Sequence, residues 1–287
     1  MAILLDGNQI LIASIMVQNK GKIENWDPEA VRHIALNSIR ANYKKFHFEY
    51  GRLILCFDSS NNWRRKIFPH YKYKRAKSRE DASVAEIWKE LFGFIQQLAN
   101  DLKEYFPYQV MQVDTTEADD IIAVLANELS LAGEKTLIVS GDGDFHQLLK
   151  LPRIQQWNPI LKRWETSSDP DDELLEQICT GCSGDSVPNV MSPDNSFADG
   201  IRQTAMTKDR IRELKNPNSS LRQDPRWAKN FQRNEALIDL SKIPTEVQIL
   251  ILEEFMKDWN HDKSKVGNYL ADHGAEILLT HLGDFVS

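Results

Sequence analysis

Hydrophobic and polar positions follow two regimes along this chain. Short, nearly unbroken apolar runs, Ile3-Leu4-Leu5, Leu53-Ile54-Leu55-Cys56-Phe57 and Thr136-Leu137-Ile138-Val139, read as buried strands. Tyr108 to Val113 and Ile154-Gln155-Gln156-Trp157 are further strand candidates. Between them apolar residues recur at helical spacing. Val31, Ile34, Ile39 and Tyr43 mark a helix from about Pro28 to Phe46. Ile87, Leu91, Phe94, Leu98 and Leu102 mark another from Val84 to Tyr105, and Ile121, Ile122, Leu125 and Leu129 a third from Glu117, with Thr115-Thr116 placed to cap it. Strands separated by helices predict an α/β fold with a mostly parallel central sheet flanked by helices. From about Asp169 strand signals stop. Helical patterns take over, including Glu246 to Phe255 and Ala275 to Leu282, whose apolar spacing fits core. The expected organisation is an α/β part over 1–168 and a smaller helical part over 169–287.

The ends of the strand runs change this from a fold reading to a chemical one. Asp6 and Asp58 end apolar runs, Asp142 follows one across Ser140-Gly141, Glu117 and Asp119 open the helix after another strand, and Asp144 follows Asp142 across one glycine. In a parallel sheet the carboxyl ends of the strands share one edge, where sites form. Singly, each acid reads as a turn residue or as an acid favoured at a helix start. Together, five or six carboxylates on one edge repel one another and call for a cation. Oxygen ligands of this kind suit Mg²⁺ or Mn²⁺. Beside a basic patch, two such ions about 4 Å apart serve phosphoryl chemistry.

The basic patch is present. Net charge over 287 residues is −7, which by itself disfavours nucleic acid, yet eight cations and no acid lie between Arg64 and Arg79. There is no G-x-x-x-x-G-K-S/T loop and no G-x-S-x-G elbow. Three cysteines are too few for a disulfide framework, and Cys179-x-x-Cys182 lacks the second pair of a zinc site. No apolar run is long enough to cross a bilayer, and the start lacks signal-peptide character, so a cytoplasmic location is expected (the host cytoplasm, were the chain phage-encoded).

Phe57-Asp58, Trp63-Arg64-Arg65, Tyr71-Lys72-x-x-Arg75, Glu117-Ala118-Asp119-Asp120 and Asp142-Gly143-Asp144-Phe145 occur in this order, and matching segments continue to Leu237-Ile238-Asp239 and Ile243-Pro244. In these the chain resembles the flap endonuclease / 5′-nuclease family, and within it the RNase H type of T-even-type phages, which removes RNA primers. The resemblance implies a PIN-like 5′-nuclease domain with a basic arch near 64–90 and a helix–three-turn–helix element near 174–192. It implies that Asp6, Asp58, Asp119 and Asp142 hold a first metal, with Glu117 acting directly or through water, and that Asp144 and Asp185 lean toward a second. Lys72 and Arg75 would reach the scissile phosphate. Arg64, Arg65, Lys74, Lys77 and Arg79 would track a single-stranded 5′ end, and Tyr71 or Tyr73 would stack on a base. Gly181, Gly184, Ser186 and Asn189, in a stretch like the family's G-D-x-x-D-N-I-P-G, would contact duplex phosphates, with a bound monovalent cation. Cys182 stands where the family has Asp, so a weaker second metal site is expected. Asn189 replaces the last glycine and is expected to tolerate a left-handed backbone there. The implied activity is divalent-metal-dependent 5′-3′ exonuclease and flap endonuclease cleavage of RNA–DNA hybrids and duplex DNA, by a monomer, beside a single-strand-binding protein and a sliding clamp. The rival readings are a structure-specific DNA-binding protein with a weakened metal site, and a small-molecule phosphatase, for which neither the basic segment nor the duplex-binding turn has a use.

Overall fold

A computed structural model of the chain describes residues 1–18, 23 and 25–286. Its centre is a six-stranded sheet built from β1 (Ala2–Asp6), β2 (Arg52–Phe57), β3 (Gln109–Gln112), β4 (Thr136–Val139), β5 (Ile154–Asn158) and β6 (Arg163–Glu165), in the order β3-β2-β1-β4-β5-β6. The first five strands run parallel, and β6 pairs antiparallel with β5. Successive residues serve opposite faces. Ile3, Leu5, Leu53, Leu55 and Val139 enter one core, while Ala2, Leu4, Ile54, Cys56 and Ile138 enter the other. Covering both faces is what makes these strands apolar throughout.

The helices are α1 (Gly7–Gln18), α2 (Pro28–Tyr50), α3 (Arg64–Ile67), α4 (Tyr73–Arg79), α5 (Ala85–Tyr105), α6 (Ala118–Leu131), α7 (Pro170–Thr180), α8 (Lys208–Lys215), α9 (Pro225–Ile238), α10 (Thr245–Phe255), α11 (Lys265–Asp272) and α12 (Glu276–Leu279). α1, α2 and α5 cover one face together with α11 and α12, which contribute Val266, Tyr269, Leu270 and Leu278. α6 and α10 cover the other. Residues 170–239 gather around smaller clusters, one joining Leu174, Ile178, Val187, Leu237 and Ile238 to Phe68 and Tyr71 of the basic segment. From Leu240 onward the chain returns to the sheet, so the boundary expected at 168/169 separates two stretches of sequence that share cores.

Three details differ from the pattern-based expectation. α1 follows β1 without a turn, and Gly7 makes this possible, because a Cβ there would lie 2.5 Å from the Phe57 ring. α6 starts at Ala118, one residue late. Its cap is Glu117, whose N–H donates to the Asp120 carboxylate at 2.9 Å, whereas Thr116 Oγ bonds back to Val113 and Thr115 sits at φ 65°. After α7 the chain passes through turns and an isolated bridge between Cys182 and Val187, and the next helix begins only at Lys208, so 174–192 contains one helix and its turns. Among the described residues no helix is long and apolar enough to cross a membrane.

Candidate active site

The strand order reverses at β1, which lies between β2 and β4. A crevice at the carboxyl end of such a point is where α/β sheets bind ligands. Asp6 closes β1, Asp58 follows β2, Asp142 follows β4, and Asp119 stands in the first turn of α6, so four segments deliver an acid to this crevice. Each is braced. The Asp6 carboxylate accepts from Gln9 N–H at 2.9 Å and from Ser140 Oγ at 3.2 Å. Asp58 accepts from Ala118 N–H at 2.8 Å and from Asn8 Nδ2 at 3.0 Å, and its own N–H returns to Asn8 Oδ1. Asp142 caps the 3-10 helix Gly143–Leu148 by accepting Asp144 N–H at 2.9 Å, and Gln156 Nε2 donates to its carbonyl at 2.8 Å. Gln177 of α7 donates to Asp144. Asn8, Gln9, Ser140, Gln156 and Gln177 escape sequence reasoning. Their one signal is position, since Asn8, Gln9 and Ser140 lie within three residues of a strand-end acid.

Burial pushes Asp6 up to about 7, with Asp58 and Asp142 adding to it against the Gln9 and Ser140 hydrogen bonds. Burial also raises Asp119, well above the usual carboxylate range, and Asp6, Asp142 and Glu117 raise it further. Asp58 rises from burial and from Glu117, and Asp144 rises to about 6 from burial and from Asp142. The acids therefore share one under-neutralised pocket, which suits hard divalent cations in charge and in donor chemistry. Among the described residues no three His, Cys, Asp or Glu side chains stand close enough to enclose an ion as they are. Glu117, Asp119, Asp144 and Asp185 line one small cavity, and hydrogen bonds fix Asp6, Asp58, Asp142 and Asp144 in place.

Glu117 behaves differently. Burial pushes it up, but Lys72 and Arg64 outweigh this and its pKa falls. Lys72 Nζ binds one oxygen, while Tyr71 Oη at 2.8 Å and Arg64 Nη1 at 3.4 Å bind the other. Glu117 thus anchors Lys72 within the crevice and has little left for a metal. Lys72 holds a left-handed backbone at φ 56°, and despite burial its ammonium is stabilised by Glu117, Asp185 and Asp119.

Two residues of the basic segment expected on nucleic acid are in the interior. Arg64 is 3% exposed and donates to Leu237 O at 3.0 Å and to Asp120 at 2.8 Å. Tyr71 is 4% exposed, its ring packed in the core and its hydroxyl shared between Glu117 and Asp185. Neither presents a surface to a strand. Arg65, Lys74 and Lys77 are exposed, Arg75 pairs with Asp185 at 3.2 Å, and Arg79 lies over the Trp88 and Phe92 rings. In the turn after α7, only Gly184 of the four expected contacts is exposed. Gly181 N–H ends α7 on Gln177 O, and its φ of 71° and a Cβ clash of 2.4 Å with Val187 O explain the glycine. Ser186 and Asn189 are buried, and Asn189 N–H donates to Gln203. The left-handed residue of this turn is Ser186, at φ 59°, and not Asn189, whose side chain instead holds Met191, Ser192 and Thr204. Cys182 lines the small cavity shared by Glu117, Asp119, Asp144 and Asp185, and burial followed by Asp185 pushes its thiol up to about 11. It stays protonated near neutral pH, a poor partner for a hard cation.

Residues 1–177 match the model of the 5′-3′ exonuclease N-terminal resolvase-like domain. The ribonuclease H of Enterobacteria phage T4 is 31% identical over 98% of this chain and 95% of its own length. The flap endonuclease Xni of Shewanella pealeana is 28% identical over 51% of this chain and 56% of its own. Among solved structures, the T5 5′-exonuclease with bound zinc superposes with a TM-score of 0.63 at 17% identity, over 89% of this chain and 98% of that one. The bacteriophage T5 flap endonuclease, in a pseudo-enzyme–product complex with DNA and metal ions, gives 0.61 at 14% identity over 89% and 99%.

Proposed function

The chain belongs to the 5′-3′ exonuclease family, and from that membership together with the crevice geometry we propose how its own residues divide the work. It is a metal-dependent 5′-nuclease that hydrolyses phosphodiester bonds of nucleic acid. Its proposed substrates are RNA–DNA hybrids, flaps and nicked duplexes, and its proposed role is primer removal during phage DNA replication. The observation that carries the reading is that four separate segments deliver acids to the carboxyl end of one parallel sheet, with Lys72 held beside them by Glu117.

Asp6, Asp58, Asp119 and Asp142 are proposed to hold a first Mg²⁺ or Mn²⁺, and Asp144, with Asp185, a weaker second. Bound there, the ions neutralise the pocket and polarise the phosphodiester. Lys72 stays protonated and offers its charge to the phosphate oxygens, with Arg75 next to it. Glu117 sets where Lys72 points. Exposed Arg65, Lys74 and Lys77 supply sequence-independent attraction for the strand. The product carries a 5′ phosphate. A monovalent cation at the turn after α7, and a single-strand-binding protein and a clamp as partners, remain parts of the same proposal.

A labelled flap or hybrid incubated with Mg²⁺, with Mn²⁺ and with chelator tests the activity. Cleavage that survives chelation refutes it, and binding without cleavage in either metal favours a structure-specific DNA-binding protein. Cys182→Asp should lower the Mg²⁺ concentration for half-maximal cleavage by about ten-fold, the lower end of the roughly 10–100-fold scale of metal-supporting groups. An unchanged requirement removes Cys182 from the second site.

The acids also predict a pH-dependent metal effect on stability. Asp6, Asp58, Asp119 and Asp144 bind protons more tightly folded than unfolded. Between the ordinary carboxylate range and about 7 for Asp6, the folded chain therefore holds more protons, and its metal-free stability falls as pH rises through that window. Mg²⁺ should raise the melting temperature more at about pH 8 than at about pH 5.5, where protons already neutralise the pocket. An equal shift at both values disconnects the ion from these acids.

A further inference from the structure

We propose that Ser186 is a positioning residue for the reaction: its hydroxyl caps α4 and so fixes Lys72 and Arg75 over the carboxylate crevice. The proposal rests on the nuclease reading and adds a residue to it. A helix start leaves N–H groups without intrahelical partners. α4 begins after Lys72, whose side chain has no acceptor to give and is drawn to Glu117. Two of the partners come instead from the turn more than a hundred residues away. Lys72 N–H donates to Asp185 O at 2.7 Å, and Lys74 N–H donates to Ser186 Oγ at 3.0 Å. The Asp185 carboxylate reinforces the contact, lying 3.2 Å from Arg75 Nη2 and 3.8 Å from Lys72 Nζ.

Ser186 occupies this place at a conformational cost. It is fully buried at φ 59°, a region where glycine or asparagine is at ease and serine is not. Glycine would fit the backbone better but would bring no hydroxyl to Lys74. Lys72 is left-handed too, at φ 56°, so both sides of the clasp include an uncommon backbone, Lys72 held by Asp185 O and Ser186 by Lys74 N–H. The arch that carries the phosphate-facing cations and the turn after α7 are thereby tied through one serine. Disturbing that serine should misplace Lys72 and Arg75 while removing no carboxylate of the crevice and no cationic side chain.

The test uses the whole chain with Ser186→Gly and Ser186→Ala. Ser186→Gly removes the hydroxyl and relieves the left-handed strain, which separates capping from general damage. Trypsin cleavage after Lys74, Arg75 and Lys77 is followed on the folded protein, alongside the single-turnover rate in Mg²⁺ and the Kd for a flap substrate in chelator. Both variants should be cut faster in the arch by about five-fold, the change set by one helix-cap hydrogen bond. Both should lose about ten-fold in single-turnover rate, while the Kd in chelator holds within about two-fold, because the exposed cations are intact. Unchanged proteolysis and unchanged rate in both variants overturn the proposal. So does a Ser186→Gly variant whose rate, Kd and melting temperature all deteriorate together, since that is the mark of a merely structural residue. A wild-type chain that fails to cleave would count against the nuclease reading instead, and proteolysis of the arch would still decide whether Ser186 caps it.

Discussion

An Asp119→Asn chain should lose Mg²⁺-dependent cleavage by about 10³-fold or more, and its metal-free form should melt higher than the wild type. The two effects share one cause. Burial and the neighbouring Asp6, Asp142 and Glu117 oppose the charge on Asp119, so ionised Asp119 is a liability to the empty fold. Asparagine keeps the shape and drops the charge. A gain of about 2–4 °C in chelator corresponds to roughly 1 kcal/mol in a chain of this size. In Mg²⁺ the order should reverse, because the wild type gains from binding what the variant cannot. Thermal melts in chelator and in Mg²⁺, run beside a single-turnover assay, decide the matter. Wild-type cleavage by the variant, or a lower melting temperature in chelator, would remove Asp119 from the metal-holding set. The stability that the acids give up in the metal-free state is also why they require explanation by function: burial of their charge outweighs the hydrogen bonds that brace them.

Arg64→Ala should destabilise the fold by about 3–5 kcal/mol, whereas Arg65→Ala should leave stability unchanged. Arg64 is buried against Asp120, Glu117 and Leu237 O, so its loss strands two interior carboxylates and a carbonyl. Asp120 in turn caps α6 through Glu117 N–H and accepts from Trp63 Nε1 at 3.1 Å. The damage should therefore spread to the start of α6, where Asp119 resides. Arg65 is exposed and should matter only to the substrate, weakening binding in chelator and reducing the salt slope by about 1. Urea unfolding of both variants, with salt-dependent binding of a flap, separates the two arginines. If Arg64→Ala unfolds like the wild type while binding weakly, the arginine belongs on the strand after all.

The contrast between these neighbours shows where sequence reading succeeds and where it stops. The acids are legible because strands buried on both faces are apolar to the last residue, and an aspartate directly after such a run has few structural reasons to be there. Arg64 and Arg65 have the same chemistry and adjacent numbers. What separates them is the rotation of α3, a four-residue helix too short to impose a readable period. The amides that brace the acids carry no charge and no spacing rule, so Gln156 and Gln177 become visible only through their hydrogen bonds, and Asn8 and Gln9 only by their place beside a strand-end acid. α1 was hidden for the opposite reason. Ile10, Leu11, Ile12, Ile15, Met16 and Val17 leave little contrast between its faces, and no turn separates it from β1. β6 spans three residues, Arg163-Trp164-Glu165, at the sheet edge, with no apolar run to announce it. At the turn after α7 the family pattern leads one to expect a left-handed Asn189, whereas the hydrogen bonds of Asn189 hold the following loop and Ser186 takes the strain.

The return of the last helices to the sheet sets the order in which activity can appear during synthesis. Val266, Tyr269, Leu270, Leu278 and Phe285 complete the same core as Ile3 and Leu5, and Phe285 O accepts the Tyr108 hydroxyl at 2.9 Å. Every acid of the crevice leaves the ribosome well before these residues do. A nascent chain therefore carries these acids while the core already lined by α1, α2 and α5 still lacks its last helices, and a premature stop leaves that core incomplete.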